Sequence, residues 1–143
     1  MLSTVAVGTD GSPTASKAVA VAVDFARRFG AKLVLLSAFE ENWDRAARWG
    51  TDAFVAAGWA TSTSAELRET LARTEADLRR QGVDCASRID KGDPADVLVH
   101  LATECEADLL VIGNKGMRRR MLGSVPNTVT HKALCSVLVV KTT

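Results

Sequence analysis

The sequence lacks the features that mark membrane-spanning and secreted proteins. Among its 143 residues, no apolar run approaches the roughly 20 residues that a transmembrane helix needs. The N-terminus leads directly into the apolar run that starts at Thr4, without the basic, apolar and small-residue order of a signal peptide. We therefore expect a cytoplasmic protein that does not enter the membrane.

An excess of charge of one sign is also missing. The 18 basic and 17 acidic side chains leave a formal net charge of +1, so no global field attracts nucleic acid or an anionic membrane. We expect neither partner, and the run Arg118-Arg119-Arg120 must be explained by its position.

Cysteine and histidine are scarce and poorly placed for chemistry. Cys85, Cys105 and Cys135 are odd in number and widely spaced, with no CxxC pair and no nearby histidine to suggest a zinc site. We expect them to be reduced, largely buried, small apolar side chains. His100 and His131 fall in predicted helices, so no Ser, His and acid set converges on one edge, and we do not predict an enzyme.

The sequence does contain five short apolar runs that alternate with helical patterns. The predicted strands are Thr4 to Gly8, Lys32 to Phe39, Val83 to Ile89, Asp108 to Ile112 and Ser136 to Val140. The predicted helices are Pro13 to Phe29, Thr63 to Gln81, a third that starts at Asp93-Pro94, and Ser124 to Ala133. All strands except the third are nearly continuous in apolar residues, whereas the third alternates and should lie nearer an edge. The pattern predicts one α/β domain, residues 1–143, with a doubly wound parallel sheet and helices on both faces.

Helical spacing also predicts which side chains face the core. In the first helix these are Ala18, Val19, Ala22, Val23, Ala26 and Phe29, and in the second they are Leu67, Thr70, Leu71, Thr74 and Leu78. Gly30 and Gly82 stand where the two helices should end.

The segment from Glu40 to Ser62 is the least predictable part of the chain. It contains all three tryptophans, Trp43, Trp49 and Trp59, and shows little periodicity. An insertion of this size at the carboxyl edge of a sheet either covers a ligand site or packs its tryptophans onto the surface of the domain.

The stretch VIGNKGMRRRMLGSVPN, from Val111 to Asn127, carries the clearest functional pattern. It joins an apolar strand to a helix start through three glycines and three consecutive arginines. Glycines let the backbone approach a ligand, and the first turn of a helix adds free N–H donors, so the pattern favours an anion such as phosphate. The alternative is purely structural: Gly113 ends a strand, Gly116 relieves a turn, and Ser124 caps a helix.

A second loop, Gly8 to Pro13, should face this stretch. With right-handed crossovers and strand order 3-2-1-4-5, the loops after strands one and four meet at the carboxyl edge of the sheet. Asp10 in the first loop either caps a helix or accepts hydrogen bonds from a ribose or a base. An acidic group opposite a glycine-lined, arginine-bearing loop is the layout expected for a nucleotide.

These motifs resemble the universal stress protein family. The resemblance rests on GTDGS after the first strand, on Gly92-Asp93-Pro94 before the third helix, and on GNKG followed by GSVPNTVTHKALCSVLVVK. It covers the whole chain. It implies a Rossmann-like fold of the adenine nucleotide alpha hydrolase-like kind and a dimeric regulatory or stress-response module. It also implies ATP or another adenine nucleotide as the ligand, with or without Mg²⁺, and a homodimer formed through the last strand.

The resemblance also assigns the individual site residues. The phosphates would contact Gly113, Gly116, Gly123, Ser124 and Val125, and the ribose and adenine would contact Gly8, Thr9, Asp10 and Ala38. In nucleotide-binding members the second and last glycines are separated by nine residues, whereas here Met117 to Leu122 supply six. The loop is therefore three residues short, which favours AMP, ADP or cyclic AMP relative to ATP.

The arginines of this loop have two interpretations. Arg118, Arg119 and Arg120 either pair with phosphate oxygens or lie solvated on the surface. We predict that Arg118→Ala or Arg120→Ala weakens nucleotide binding by more than about tenfold, or roughly 1.4 kcal/mol. Calorimetric titration of both variants tests this, and unchanged affinity in both would assign the arginines to the solvated surface.

Other function classes compete with nucleotide binding. A response-regulator-like receiver would need an acidic pair after the first strand and another Asp at the end of the third, for which Asp90 is the candidate. A dimeric interaction protein of the same fold would retain only a vestigial site. Weak ATP hydrolysis would have to rely on Asp10 and a metal without a dedicated base.

Overall fold

The described residues form a five-stranded parallel sheet. The computed structural model describes residues 2–39, 64–114 and 123–141. The strands are β1 (Thr4–Gly8), β2 (Lys32–Phe39), β3 (Cys85–Lys91), β4 (Leu109–Gly113) and β5 (Ser136–Val140). They follow the order β3-β2-β1-β4-β5, with every neighbouring pair parallel. The predicted fold class and strand order are confirmed, and the alternating third strand lies at an edge.

Four helices lie among the described residues. They are α1 (Ala15–Phe29), α2 (Ser64–Arg80), α3 (Pro94–Glu104) and α4 (Ser124–Lys132). Gly30 ends α1 in the left-handed conformation, with φ of 62°. At the start of α3, the Asp93 carboxylate accepts a hydrogen bond from the Asp96 N–H at 3.2 Å, and Pro94 occupies a first-turn position. None of these helices combines the length and the apolar character that crossing a membrane requires.

The sheet has a separate hydrophobic core on each face. Alternate strand residues point to opposite faces, so Val5 and Val7 join one core while Ala6 joins the other. The first core includes Leu33, Leu35, Val111, Ala18, Ala22, Ala26, Leu67, Leu71 and Leu78 from β2, β4, α1 and α2. The second includes Leu36, Leu110, Ile112, Ala95, Leu98, Leu101, Val125 and Val129 from β2, β4, α3 and α4. The sheet is therefore covered on both sides, as predicted.

Two predicted details are wrong. The third strand begins at Cys85 rather than Val83, because the Val83 N–H donates to the Leu78 carbonyl at 3.0 Å and so completes the turn that ends α2. Phe29 does not face the core: it is 50% exposed and stacks on Phe25 with ring centroids 6.2 Å apart. The buried residues of α1 repeat every four positions, at Ala18, Ala22 and Ala26, and Phe29 falls outside this stripe.

The cysteines are free, as predicted, but they differ in burial. Cys85 is fully buried at the start of β3, and burial, together with the nearby Glu75 carboxylate, raises the pKa of its thiol to about 11. Cys105 and Cys135 are only half-buried, so the expectation of largely buried thiols is right for one of the three. The segment from Glu40 to Ser62 lies outside the described residues.

Asp108 ties the start of β4 to the N-terminal segment. Its Oδ2 accepts hydrogen bonds from the N–H groups of Thr4 and Ser3, at 3.0 and 2.8 Å. These two donors hold the pKa of the Asp108 carboxyl below its usual value of 3.8. The charged form is therefore favoured in the folded state.

This contact predicts a pH-dependent stability difference for Asp108→Asn. A carboxylate whose pKa is lowered by folding stabilises the protein above its unfolded pKa, and loses that contribution as the pH falls through the folded pKa. Urea unfolding should find the variant less stable than wild type at pH 7, and the difference should shrink as the pH falls below 3.8 and through the lowered pKa of Asp108. If the stability difference between wild type and Asp108→Asn were the same at acidic pH, the charge of Asp108 would not be its cause.

Candidate functional site

The strand order reverses between β1 and β4, and the candidate site lies where these strands end. The two strands are hydrogen-bonded neighbours, with Val7 opposite Val111, so the chain leaves both at the same edge of the sheet. Connections from β1 and β4 lead to helices on opposite faces, and in open parallel sheets ligands bind at such a reversal. The sheet thus brings Gly8, Thr9 and Asp10 alongside Gly113 and Asn114.

The loop after β1 is fixed to β2 by backbone and side-chain hydrogen bonds. The Thr9 N–H donates to the Leu36 carbonyl at 2.9 Å, and the buried Ser37 hydroxyl donates to the Thr9 carbonyl at 2.6 Å. Thr9 Oγ1 accepts from the Gly11 N–H at 3.1 Å. Ala38, one residue beyond Ser37 in β2, is fully buried. The first part of the predicted site is therefore a preorganised backbone segment rather than a flexible loop.

Asp10 organises a turn and does not cap α1. Its Oδ1 accepts from the Ser12 N–H at 2.9 Å, and the side chain is half-buried. At the helix start it is Ser12 Oγ that accepts from the Ala15 N–H, at 3.2 Å. The helix-cap alternative for Asp10 is therefore wrong, which leaves its carboxylate held at the carboxyl edge of the sheet.

Gly8 is required by packing beneath the site. A Cβ added at this position would lie 2.9 Å from Leu98 Cδ1 and 3.4 Å from Ile112 Cγ2, both in the core between the sheet and α3. The missing side chain therefore faces the protein interior. The Gly8 backbone can still contact a ligand, but packing in the core is enough to explain why this position is a glycine.

The loop after β4 begins with a buried asparagine that sequence reasoning missed. Asn114 is fully buried, its N–H donates to the Val140 carbonyl at 2.9 Å, and its Oδ1 accepts from the Gly123 N–H at 2.9 Å. Asn114 therefore joins the ends of β4 and β5 to the start of α4. The sequence feature that could have pointed to Asn114 is its position within GNKG, as a polar residue directly after a continuous apolar strand.

The start of α4 offers N–H donors at this edge. Gly123 is the N-cap residue and has no side-chain cap, so the structural alternative in which Ser124 caps the helix is wrong: Ser124 is the first helical residue and is exposed. The N–H groups of Ser124 and Val125 belong to the first turn, which has no acceptors for them within the helix, and Pro126 has no N–H. The Gly123 N–H is occupied by Asn114.

The structure brings some of the predicted site residues together, and the others lie outside the residues that it describes. Gly113 ends β4 opposite Val140, next to the loop after β1. Gly116, Arg118, Arg119 and Arg120 lie outside the described residues. The sheet edge therefore collects Gly8, Thr9, Asp10, Ala38, Gly113, Gly123, Ser124 and Val125.

The strand order excludes the acidic cluster of a receiver. Asp90 lies in β3, and β2 stands between β3 and β1, so two strand spacings of about 10 Å in total separate the strand that bears Asp90 from the one that precedes Asp10. Within residues 2–39, 64–114 and 123–141, no three His, Cys, Asp or Glu side chains gather closely enough to hold a metal ion.

Neither histidine lies in the loops after β1 and β4. His100 is exposed on α3, with its Nε2 3.1 Å from Glu104 Oε1, and His131 is exposed near the end of α4. The described parts of these loops therefore present backbone donors and the Asp10 carboxylate.

Comparisons with known proteins agree with this architecture. The model of the universal stress protein family matches residues 1–141. Universal stress protein Rv1636 of Mycobacterium tuberculosis is 37% identical over 144 residues, covering 98% of this chain and 97% of that protein. A universal stress protein solved in complex with cAMP is 36% identical, with a TM-score of 0.70 and coverage of 99% of this chain and 98% of that one.

More distant structures share the fold. The universal stress protein from Archaeoglobus fulgidus, solved in complex with dAMP, is 21% identical, with a TM-score of 0.67 and coverage of 97% of both chains. Sequence motifs, sheet order and the match over nearly the full length lead to the same conclusion: the chain belongs to the universal stress protein family.

Proposed function

We propose that this protein is a cytoplasmic adenine-nucleotide-binding module without a catalytic role of its own, acting as a dimeric stress-response regulator. One observation carries the proposal: the sheet places the rigid Thr9-Asp10 segment and the donors at the start of α4 at the same edge, beside the strand-order reversal. A carboxylate suits a ribose, and helix N–H groups suit a phosphate. The relative solved with cAMP, at 36% identity, supports the same ligand class.

The residues assigned to the nucleotide divide into two groups. The Thr9 and Ala38 backbone and the Asp10 carboxylate would hold the base and ribose, while Gly113, Ser124 and Val125 would hold phosphate. Gly116, Arg118 and Arg120 would complete the phosphate end. With the Gly123 N–H donated to Asn114, fewer amides at this helix start serve the phosphate end, which supports a ligand with few phosphates over ATP.

Calorimetric titration tests the proposal directly. ATP, ADP, AMP and cyclic AMP are titrated into the purified, nucleotide-stripped protein and into Gly113→Val, whose added bulk should block the phosphate end. We expect binding by wild type, with AMP or cyclic AMP tighter than ATP, and loss of binding by more than about tenfold in the variant. No binding of any nucleotide at millimolar concentration would overturn nucleotide binding and favour an interaction protein with a vestigial site.

The dimer part of the proposal rests on the edge strand β5. This strand pairs only with β4 among the described strands, and Val137, Leu138, Val139 and Val140 are all half-buried. Leu134, just before it, is 85% exposed. An apolar edge invites pairing with another chain. Light scattering at micromolar concentration should give the mass of a dimer, and a monomeric mass would remove this part of the proposal.

A further inference from the structure

Asn114 carries a buried polar group that none of the described residues bonds. Its Oδ1 accepts from the Gly123 N–H, which identifies the other end of the amide as the Nδ2 donor. The side chain is fully buried, and Nδ2 has no hydrogen-bond partner among the residues that the structure describes. A buried donor without an acceptor is costly, and native proteins retain few of them.

The geometry places this donor beside the start of α4. Oδ1 and Nδ2 belong to one planar amide, and Oδ1 lies 2.9 Å from the nitrogen of the helix N-cap residue Gly123. The backbone of Asn114 is fixed as well, because its N–H donates to the Val140 carbonyl at 2.9 Å. The Asn114 amide is therefore held at both its backbone and its Oδ1, beside the residue that begins α4.

We propose that Asn114 Nδ2 is an additional phosphate-binding donor that supplements the N–H groups at the start of α4. The inference rests on the proposed nucleotide site and specifies how its phosphate end is built. One asparagine closes the loop through Oδ1 and presents Nδ2 to a phosphoryl oxygen of a nucleoside monophosphate or cyclic monophosphate. The amide occupies one backbone donor, that of Gly123, and offers a side-chain donor close to the same place.

The matched variant is Asn114→Asp. It keeps the shape of the side chain and an oxygen for the Gly123 N–H, but it replaces the Nδ2 donor by an acceptor. AMP and adenosine are the probes, since they share base and ribose and differ by the phosphate. We expect at least tenfold weaker AMP binding by the variant, whereas adenosine affinity should stay within about twofold of wild type.

A measurement on the wild-type protein tests the same contact even if the Asn114→Asp variant does not fold. The side-chain amide signals of Asn114 in a ¹H–¹⁵N spectrum should shift on addition of AMP and stay in place on addition of adenosine. Equal loss of AMP and adenosine affinity in Asn114→Asp, or Asn114 amide signals that AMP does not move, would show that Asn114 only closes the loop. If wild type bound neither AMP nor adenosine, the proposed function would fall together with this inference.

Discussion

Leu98→Ala should lower the free energy of unfolding by about 2–5 kcal/mol, because it opens a cavity in the core directly beneath the candidate site. Leu98 is 1% exposed and lies between α3 and the sheet, where its methyl groups fill the space that a side chain at Gly8 would occupy. Urea unfolding measures the loss. The neighbouring Val99→Ala, at a half-buried position of the same helix, is the control and should cost less.

The same contact can be tested from the strand side. Gly8→Ala places its Cβ 2.9 Å from Leu98 Cδ1, and overpacking of this kind costs about 1–3 kcal/mol. In the Leu98→Ala background the new methyl enters the cavity. The double variant should therefore lose less free energy of unfolding than the two single variants lose in sum. Strictly additive costs would show that Gly8 and Leu98 do not share this space.

The architecture was predictable because its determinants are local and periodic. Continuous apolar runs such as Lys32 to Phe39 indicate strands buried on both faces, and Gly30 marks the end of α1 through a conformation that other residues avoid. The third strand was misplaced by two residues because Val83 is as apolar as a strand residue but packs at the end of α2 instead. The apolar side chain of Val83 predicts that the residue is buried, but it does not predict which carbonyl accepts the hydrogen bond from its N–H.

The candidate site was only partly predictable for a related reason. The glycines and Asp10 stand out by residue type, but the partner that Asp10 holds, the Ser12 N–H, follows from a turn that composition does not specify. The link between Asn114 and Gly123 spans nine positions and depends on where α4 begins, so no local pattern in GNKG reveals it. Long-range hydrogen bonds of this kind require the packed structure.

Gly11→Ala should lower the free energy of unfolding by about 2–5 kcal/mol, since two costs add at this position. Gly11 has φ of +79°, which strains any residue with a Cβ, and an added Cβ would lie 2.7 Å from Thr70 Cγ2 on α2. The turn that Asp10 and Ser12 form would have to open, which should also weaken nucleotide binding at the neighbouring Thr9-Asp10 segment. Urea unfolding and calorimetry measure the two effects.

A matched glycine separates the conformational strain at Gly11 from its steric clash. Gly82 has φ of +84° with no atom within 4 Å of an added Cβ, so Gly82→Ala carries the strain alone, about 1–2 kcal/mol. Thr70→Ser removes the clashing methyl but keeps the hydroxyl that donates to the Glu66 carbonyl at 2.9 Å. Gly11→Ala combined with Thr70→Ser should therefore recover most of the difference between Gly11→Ala and Gly82→Ala. If Thr70→Ser restored none of the stability lost in Gly11→Ala, the clash with Thr70 would not be a cause of that loss.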